Sequence, residues 1–381
     1  MSGRRMMFRF LHSSDLHLGK RFGNIADENL RGRLRDARHT VLGRLAARAR
    51  EHGAGTVLLA GDSFDTETPT PDIRRQALAE MRHHAPLQWV LLPGNHDSLQ
   101  ATQLWSAIRA EAPPNVVIAA EPAPIELAPG VVLLPAPCTT RRPGRDLTEW
   151  MDAAPTPEGT LRLGLAHGAV RDFSEEGVGL DVLAPDRAAR AGLAYLALGD
   201  WHGAVEVDAR TRYSGTPEPD RFKHDRPGEA LIVSFSAPAA PPEVIPVETA
   251  SFSWRSLPLH LLSGDDGAGM LANLLPPGAA RRQTLARILA SGRASLSART
   301  ALAAAIAHAA PEFARLELDD SALTTDVEAG DLDLIDRAGA LRDAAETLRA
   351  ESLDEARSAA ERAIARAALA RLFSLSQQAG I

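Results

Sequence analysis

Seven short apolar runs in the first 250 residues constrain the fold more than any other feature: "MFRFLHSSD", "GTVLLAGD", "WVLLPGNHD", "GVVLLPAP", "LRLGLAHG", "AYLALGDWHG" and "EALIVSFS". Each reads as a strand that runs into a polar loop. Between several of them lie helical patterns such as "ENLRGRLRDARHTVLGRLAARAREHG", closed by a glycine. Continuous apolar strands joined by helical crossovers indicate an α/β fold, with sheets covered by helices.

The character of the chain changes at "SAPAAPPEVIPVETA" (236–250), where proline and alanine mark a boundary. The expected division is a catalytic domain over 1–250, a small α+β domain over 251–330 and a helical tail over 331–381. In the second domain "FSWRSLPLHLL" and "FARLELDD" read as strands, and "RRQTLARILASG" and "SARTALAAAIAHAA" as helices. The tail carries two Ala/Arg/Glu-rich stretches, on which Leu348, Ile364, Leu369 and Leu372 form apolar positions.

Several of the strands end in residues that bind metals. "SSDLHLG" supplies Asp15 and His17, "AGDSFD" Asp62 and Asp65, and "PGNHD" Asn95, His96 and Asp97. "LAHG" supplies His167 and "GDWHG" Asp200 and His202. Active sites in α/β sheets collect at the carboxyl ends of strands. Residues two apart in extended chain point to one side, so Asp15 with His17, and Asp200 with His202, can converge. Carboxylate, amide and imidazole together suit borderline-to-hard divalent ions, Mn²⁺ above all, with Fe or Zn as alternatives. Two such ions about 3.5–4 Å apart are a common device for hydrolysing phosphate esters.

The net charge of −7 excludes a general electrostatic grip on nucleic acid, so any DNA contact must come from a local basic patch. Arg141 and Arg142, with Arg145, form the best such cluster, and Arg221 in "YSGTPEPDRF" is a further substrate-binding candidate. A single cysteine, Cys138, excludes an internal disulfide framework and fits a reducing compartment. With no signal-peptide pattern and no run of roughly 18 apolar residues, the expectation is a cytoplasmic protein with no membrane partner.

Taken in order, D-x-H, G-D-x-x-D, G-N-H-D, H-G and G-x-x-H resemble the calcineurin-like metallophosphoesterases. "FLHSSDLHLGK" and "YSGTPEPDRF" are similar, more narrowly, to the SbcD-type DNA repair exonuclease branch. The resemblance implies a layered α/β sandwich, a capping domain and a helical tail. It implies one ion held by Asp15, His17 and His202, a second by Asn95, His167 and the residue at 200, and Asp62 bridging them. His96 would then be catalytic, stabilising the transition state and protonating the leaving oxygen, with Asp65 orienting its ring. The implied partners are DNA, an SbcC-type coiled-coil ATPase docked on the C-terminal helices, and a second copy of the chain.

Asp200 departs from the family pattern, which usually has histidine there. A carboxylate is shorter than imidazole, so its loop must move inward or a water must bridge. It also brings the formal charge of a loaded site near zero, which would favour harder ions such as Mn²⁺. Two other functions fit the same residues: hydrolysis of nucleotides or other small phosphodiesters, and a weakly active structural subunit of an ATPase complex.

Overall fold

A computed structural model describes residues 8–170, 182–223, 226–326, 332–333, 335–336 and 338–379. The chain divides into two compact units, Met1–Ser253 and Trp254–Ile381.

The first unit is a sandwich of two six-stranded sheets. In one, β1 (Phe8–Ser13), β2 (Thr56–Leu59), β3 (Gln88–Leu91) and β4 (Val116–Ile118) run parallel. Two antiparallel strands, β11 (Glu229–Phe235) and β12 (Glu243–Glu248), extend it beyond β1. In the other, β6 (Val131–Ala136), β7 (Leu161–His167), β8 (Tyr195–Gly199) and β10 (Thr211–Tyr213) are parallel. The antiparallel edges of this sheet are β5 (Ile125–Ala128) and β9 (Val205–Glu206).

Alternation along each strand builds three apolar layers. Phe10, Leu58 and Val90 meet Leu133, Leu163 and Tyr195 between the sheets. On the opposite face of the first sheet, Leu11, Val57, Leu59 and Trp89 pack with Val41, Leu45, Met81 and Trp105. These come from α1 (Glu28–Glu51), α2 (Pro71–His83) and α3 (Thr102–Glu111). The outer face of the second sheet closes over Met151, Ala188 and Leu193. All seven apolar runs are strands, and both sheets present the carboxyl ends of their parallel strands as loops.

In the second unit, β13 (Ser253–Leu261), β14 (Thr284–Ser295) and β15 (Arg315–Asp326) form a three-stranded sheet, with β14 and β15 parallel. The crossover between them is the helix Leu296–Ala309, and Leu271, Leu302 and Ile306 pack on Leu259, Leu261 and Ile288. One expectation fails here. "RRQTLARILASG" is not a helix; most of it is β14. Its Leu/Ile spacing mimics a helical stripe, but Ala286, Ile288 and Ala290 are buried at period two and Leu289 is exposed. Pairing with β15 overrides the local preference.

The tail forms helices Ala340–Leu353 and Ala359–Ala379. It is not separate from the second unit, because Leu369 and Phe373 share a core with Leu296. Leu348 and Leu372 pack at its margin, whereas Ile364 is exposed. Among the described residues, no helix is long and apolar enough to cross a membrane.

Candidate metal centre

The loops after β1 and β2 are joined by their backbones. Asp15 N–H donates to Gly61 O at 3.1 Å, His17 N–H to Asp62 O at 2.9 Å and Leu18 N–H to Ser63 O at 2.9 Å. Side chains are forced inward by unusual backbone. Asp15, His17, Asp62 and Asp200 have φ of 54°, 45°, 53° and 99°. Such values cost non-glycine residues of order 1–3 kcal/mol and cluster at functional sites. Gly94 permits the close approach of the β3 loop: a Cβ there would lie 2.2 Å from Asp62 Oδ1 and 2.3 Å from Asp62 N.

Asp15, His17, Asp62, Asn95, His96, His167, Asp200 and His202 are brought together at these strand ends. His17 and His202 place their Nε2 atoms 3.2 Å apart. The Nδ1 of His17 lies 3.3 Å from Asp65 Oδ1, and the Nδ1 of His202 lies 3.6 Å from Asp220 Oδ1. A carboxylate beside each Nδ1 favours the proton there, an arrangement that would turn the two Nε2 lone pairs toward one another. Two lone pairs at that distance repel, and a cation between them removes the conflict. Around them, Asp62 Oδ2 is 3.7 Å from His17 Nε2, and Asp15 Oδ1 is 4.0 Å from His202 Nε2.

A second set adjoins the first. His167 donates from Nδ1 to Ala60 O at 2.8 Å, which leaves Nε2 turned into the pocket. That Nε2 lies 3.5 Å from Asp62 Oδ1 and 3.7 Å from Asp200 Oδ1. His167 Nε2 and Asn95 Oδ1 are buried and have no hydrogen-bond partner among the described residues. Buried polar atoms left unpaired are costly. The separations approach those of donor atoms held about 2.0–2.2 Å from a common ion. Three overlapping sets here could each hold a metal ion: Asp15, His17 and His202; His17, Asp62 and His96; and Asp15, Asp62 and His167.

Electrostatics agree. Burial lowers His17 to about 4, so its ring is neutral and able to ligate. Burial, with Asp97 and Asp15 nearby, raises Asp62 well above the usual carboxylate range. Burial would also lower His167, but the charges of Asp62, Asp15 and Asp200 outweigh it and raise that ring to about 9. The pocket demands positive charge.

His96 sits at the rim. Its N–H donates to Asp62 Oδ1 at 2.9 Å, and its ring meets His17 edge-on with centroids 4.9 Å apart. Asp65 differs from expectation: its backbone carbonyl, not its carboxylate, accepts from His96 Nδ1 at 3.0 Å. The carboxylate is turned to His17 and Lys20 instead. Burial holds the His96 ring below its ordinary pKa, and the positive charge of Arg141 adds to this. Arg141 and Arg142 are exposed, whereas Arg221 donates from Nε to Asp220 Oδ1 at 2.9 Å. Asp97 has a structural part, accepting from the N–H groups of Phe64 at 3.0 Å and Gly94 at 2.7 Å.

The sequence reading passed over Asp220, Lys20 and Arg38. Asp220 is buried, its Oδ2 lying 2.7 Å from Lys20 Nζ and 3.5 Å from Arg38 Nη2. Arg38 looks like one more surface arginine of α1 but is fully buried, donating to Leu16 O and to Glu218 O. The only advance signal was an acid between prolines and arginine, "PEPDR", in a chain with two lysines.

The sequence matches the family described as calcineurin-like phosphoesterase over residues 8–234. No curated protein matches it. Among solved structures, TT1561 of Thermus thermophilus is 10% identical with a TM-score of 0.41, spanning 64% of this chain and 99% of that one. A further crystal structure is 10% identical with a TM-score of 0.40, spanning 63% and 98%. The match over 8–234 takes in every strand of the sandwich except β12 and every ligand-type residue described above, and the chain belongs to the calcineurin-like phosphoesterases.

Proposed function

We propose that the chain is a dinuclear, metal-dependent phosphodiesterase that cleaves DNA, an exonuclease of the SbcD type. Family membership implies metal-dependent phosphoester hydrolysis. The observation that carries the reading is the pair of Nε2 atoms 3.2 Å apart, set among the carboxylates of Asp15, Asp62 and Asp200. Two divalent ions, Mn²⁺ in this reading, would polarise the phosphoryl oxygen and activate water.

The chain's own groups do the rest. His96 keeps its Nδ1 proton on the Asp65 carbonyl, so Nε2 is the atom that delivers a proton to the leaving oxygen. Arg141, exposed and close enough to bias His96, meets a substrate phosphate, with Arg142 beside it in the chain. The DNA assignment is supported by the motifs "FLHSSDLHLGK" and "YSGTPEPDRF". In the second unit Leu353 and Ile364 are 68% and 69% exposed on the C-terminal helices, where the resemblance places the docking of a coiled-coil ATPase. A sequence with a single cysteine, Cys138, accords with a cytoplasmic setting.

Incubating the protein with labelled single- and double-stranded DNA in Mn²⁺, beside a small aryl phosphodiester, tests the substrate. Release of mononucleotides supports the exonuclease. Turnover of the small diester alone would assign a nucleotide-scale substrate. Inertness toward both, with no bound metal, would leave a structural subunit.

A further inference from the structure

We propose that Asp220 is a positioning residue for the cation site formed by Asp15, His17 and His202, acting together with Asp65 through Lys20. The inference rests on the dinuclear reading given above.

Asp65 and Asp220 stand in equivalent relations to the two facing histidines. Each directs a carboxylate oxygen at an Nδ1, at 3.3 Å for His17 and, beyond hydrogen-bond length, at 3.6 Å for His202, and its charge favours the proton on that nitrogen. Lys20 spans the two, with Nζ 2.7 Å from Asp220 Oδ2 and 3.7 Å from Asp65 Oδ1. Arg38 at 3.5 Å and Arg221 at 2.9 Å complete the surroundings of Asp220, which is only 5% exposed. Three cations around one buried carboxylate hold it ionised and fixed in place. A fixed carboxylate keeps the His202 ring from turning, and the same holds at His17. The two Nε2 lone pairs then meet over one point, as a preformed ligand pair needs.

The alternative is that Asp220 merely neutralises Lys20 and Arg38. Titrating the full chain with MnCl2 by calorimetry, and measuring Tm with and without Mn²⁺, separates the two. Wild type is expected to bind two ions. Asp220→Asn should weaken one of the two by about 10–100-fold, leave the other within about twofold, and reduce the Mn²⁺-induced gain in Tm. Asp65→Asn should weaken the same ion. If Asp220→Asn lowers Tm equally with and without metal and leaves both affinities unchanged, the positioning role is wrong. Should that variant fail to fold, Asp65→Asn alone decides, since unchanged affinities there would overturn the paired arrangement. A wild-type chain that binds no Mn²⁺ instead overturns the dinuclear reading itself.

Discussion

Asn95 donates from Nδ2 to Asp200 Oδ1 at 2.9 Å, so the residue that departs from the family pattern also holds the neighbouring Asn95 amide. The backbone N–H of Asp200 points to the Asp15 carboxylate at 3.2 Å, with φ at 99°. A shorter side chain thus reaches the site through a strained turn. Asp200→His would remove one negative charge and the bond to Asn95. The limb of the pH–rate profile set by ionisation of the nucleophile is expected to move to lower pH, by on the order of one unit. The preference for Mn²⁺ over softer ions should fall with it. Profiles that superimpose would show that Asp200 does not tune the centre.

His96 lies near His17 and Asp62, but its ring nitrogen Nδ1 is engaged by the Asp65 carbonyl. This leaves Nε2 free, and in the proposed function that atom delivers a proton and does not bind metal. His96→Ala is expected to lower kcat by about 10²–10⁴-fold. Metal content should stay at the wild-type level by elemental analysis. A loss of one ion per chain would make His96 a ligand instead.

The inner residues of the centre were legible because metal chemistry and strand geometry leave a joint signature. An apolar run fixes a strand, and the polar residues just past its end face a common crevice. Asp15, Asp62, His167 and His202 could each be found that way. Asp220 could not, since it follows the three-residue strand β10 by seven positions and sits in a proline-rich loop. Arg38 was hidden for another reason. On a helix with six further arginines, nothing in the letters marks which one the fold will bury. The orientation of the Asp65 carboxylate is a matter of rotamer, and β14 was lost to helix-like spacing that a neighbouring strand overrides.

Gly94 is a steric requirement, not a flexible point. A methyl group at this position would overlap Asp62 at both its backbone nitrogen and its Oδ1. Neither can retreat easily, because Asp62 Oδ1 accepts from His96 N–H and Asp62 O accepts from His17 N–H. Gly94→Ala should cost about 1–3 kcal/mol in urea unfolding, as overpacking does. It should also weaken Mn²⁺ binding, because the residue displaced, Asp62, belongs to two of the candidate ligand sets. Intact binding in a destabilised variant would place the shift elsewhere in the β3 loop.

The loop that carries Arg141 is anchored by a half-buried carboxylate, Asp146. It accepts from Thr148 N–H at 2.8 Å, Ala184 N–H at 3.1 Å and Arg187 Nη2 at 2.8 Å. Burial works to raise its pKa, but the Thr148 and Arg187 hydrogen bonds outweigh this and hold it below the ordinary value. A carboxyl depressed on folding contributes stability above its unfolded pKa, about 3.9, and that contribution is lost as pH falls through the lower folded value. Arg187 is itself buried, with Asp152 as its remaining partner at 2.6 Å. Asp146→Asn is therefore expected to cost about 1–3 kcal/mol at pH 7. The gap from wild type should narrow below about pH 4, where wild type begins to lose the same charge. Urea unfolding at pH 7 and pH 3 checks this, and a gap of equal size at both would mean that the ionised form of Asp146 contributes nothing beyond its neutral amide.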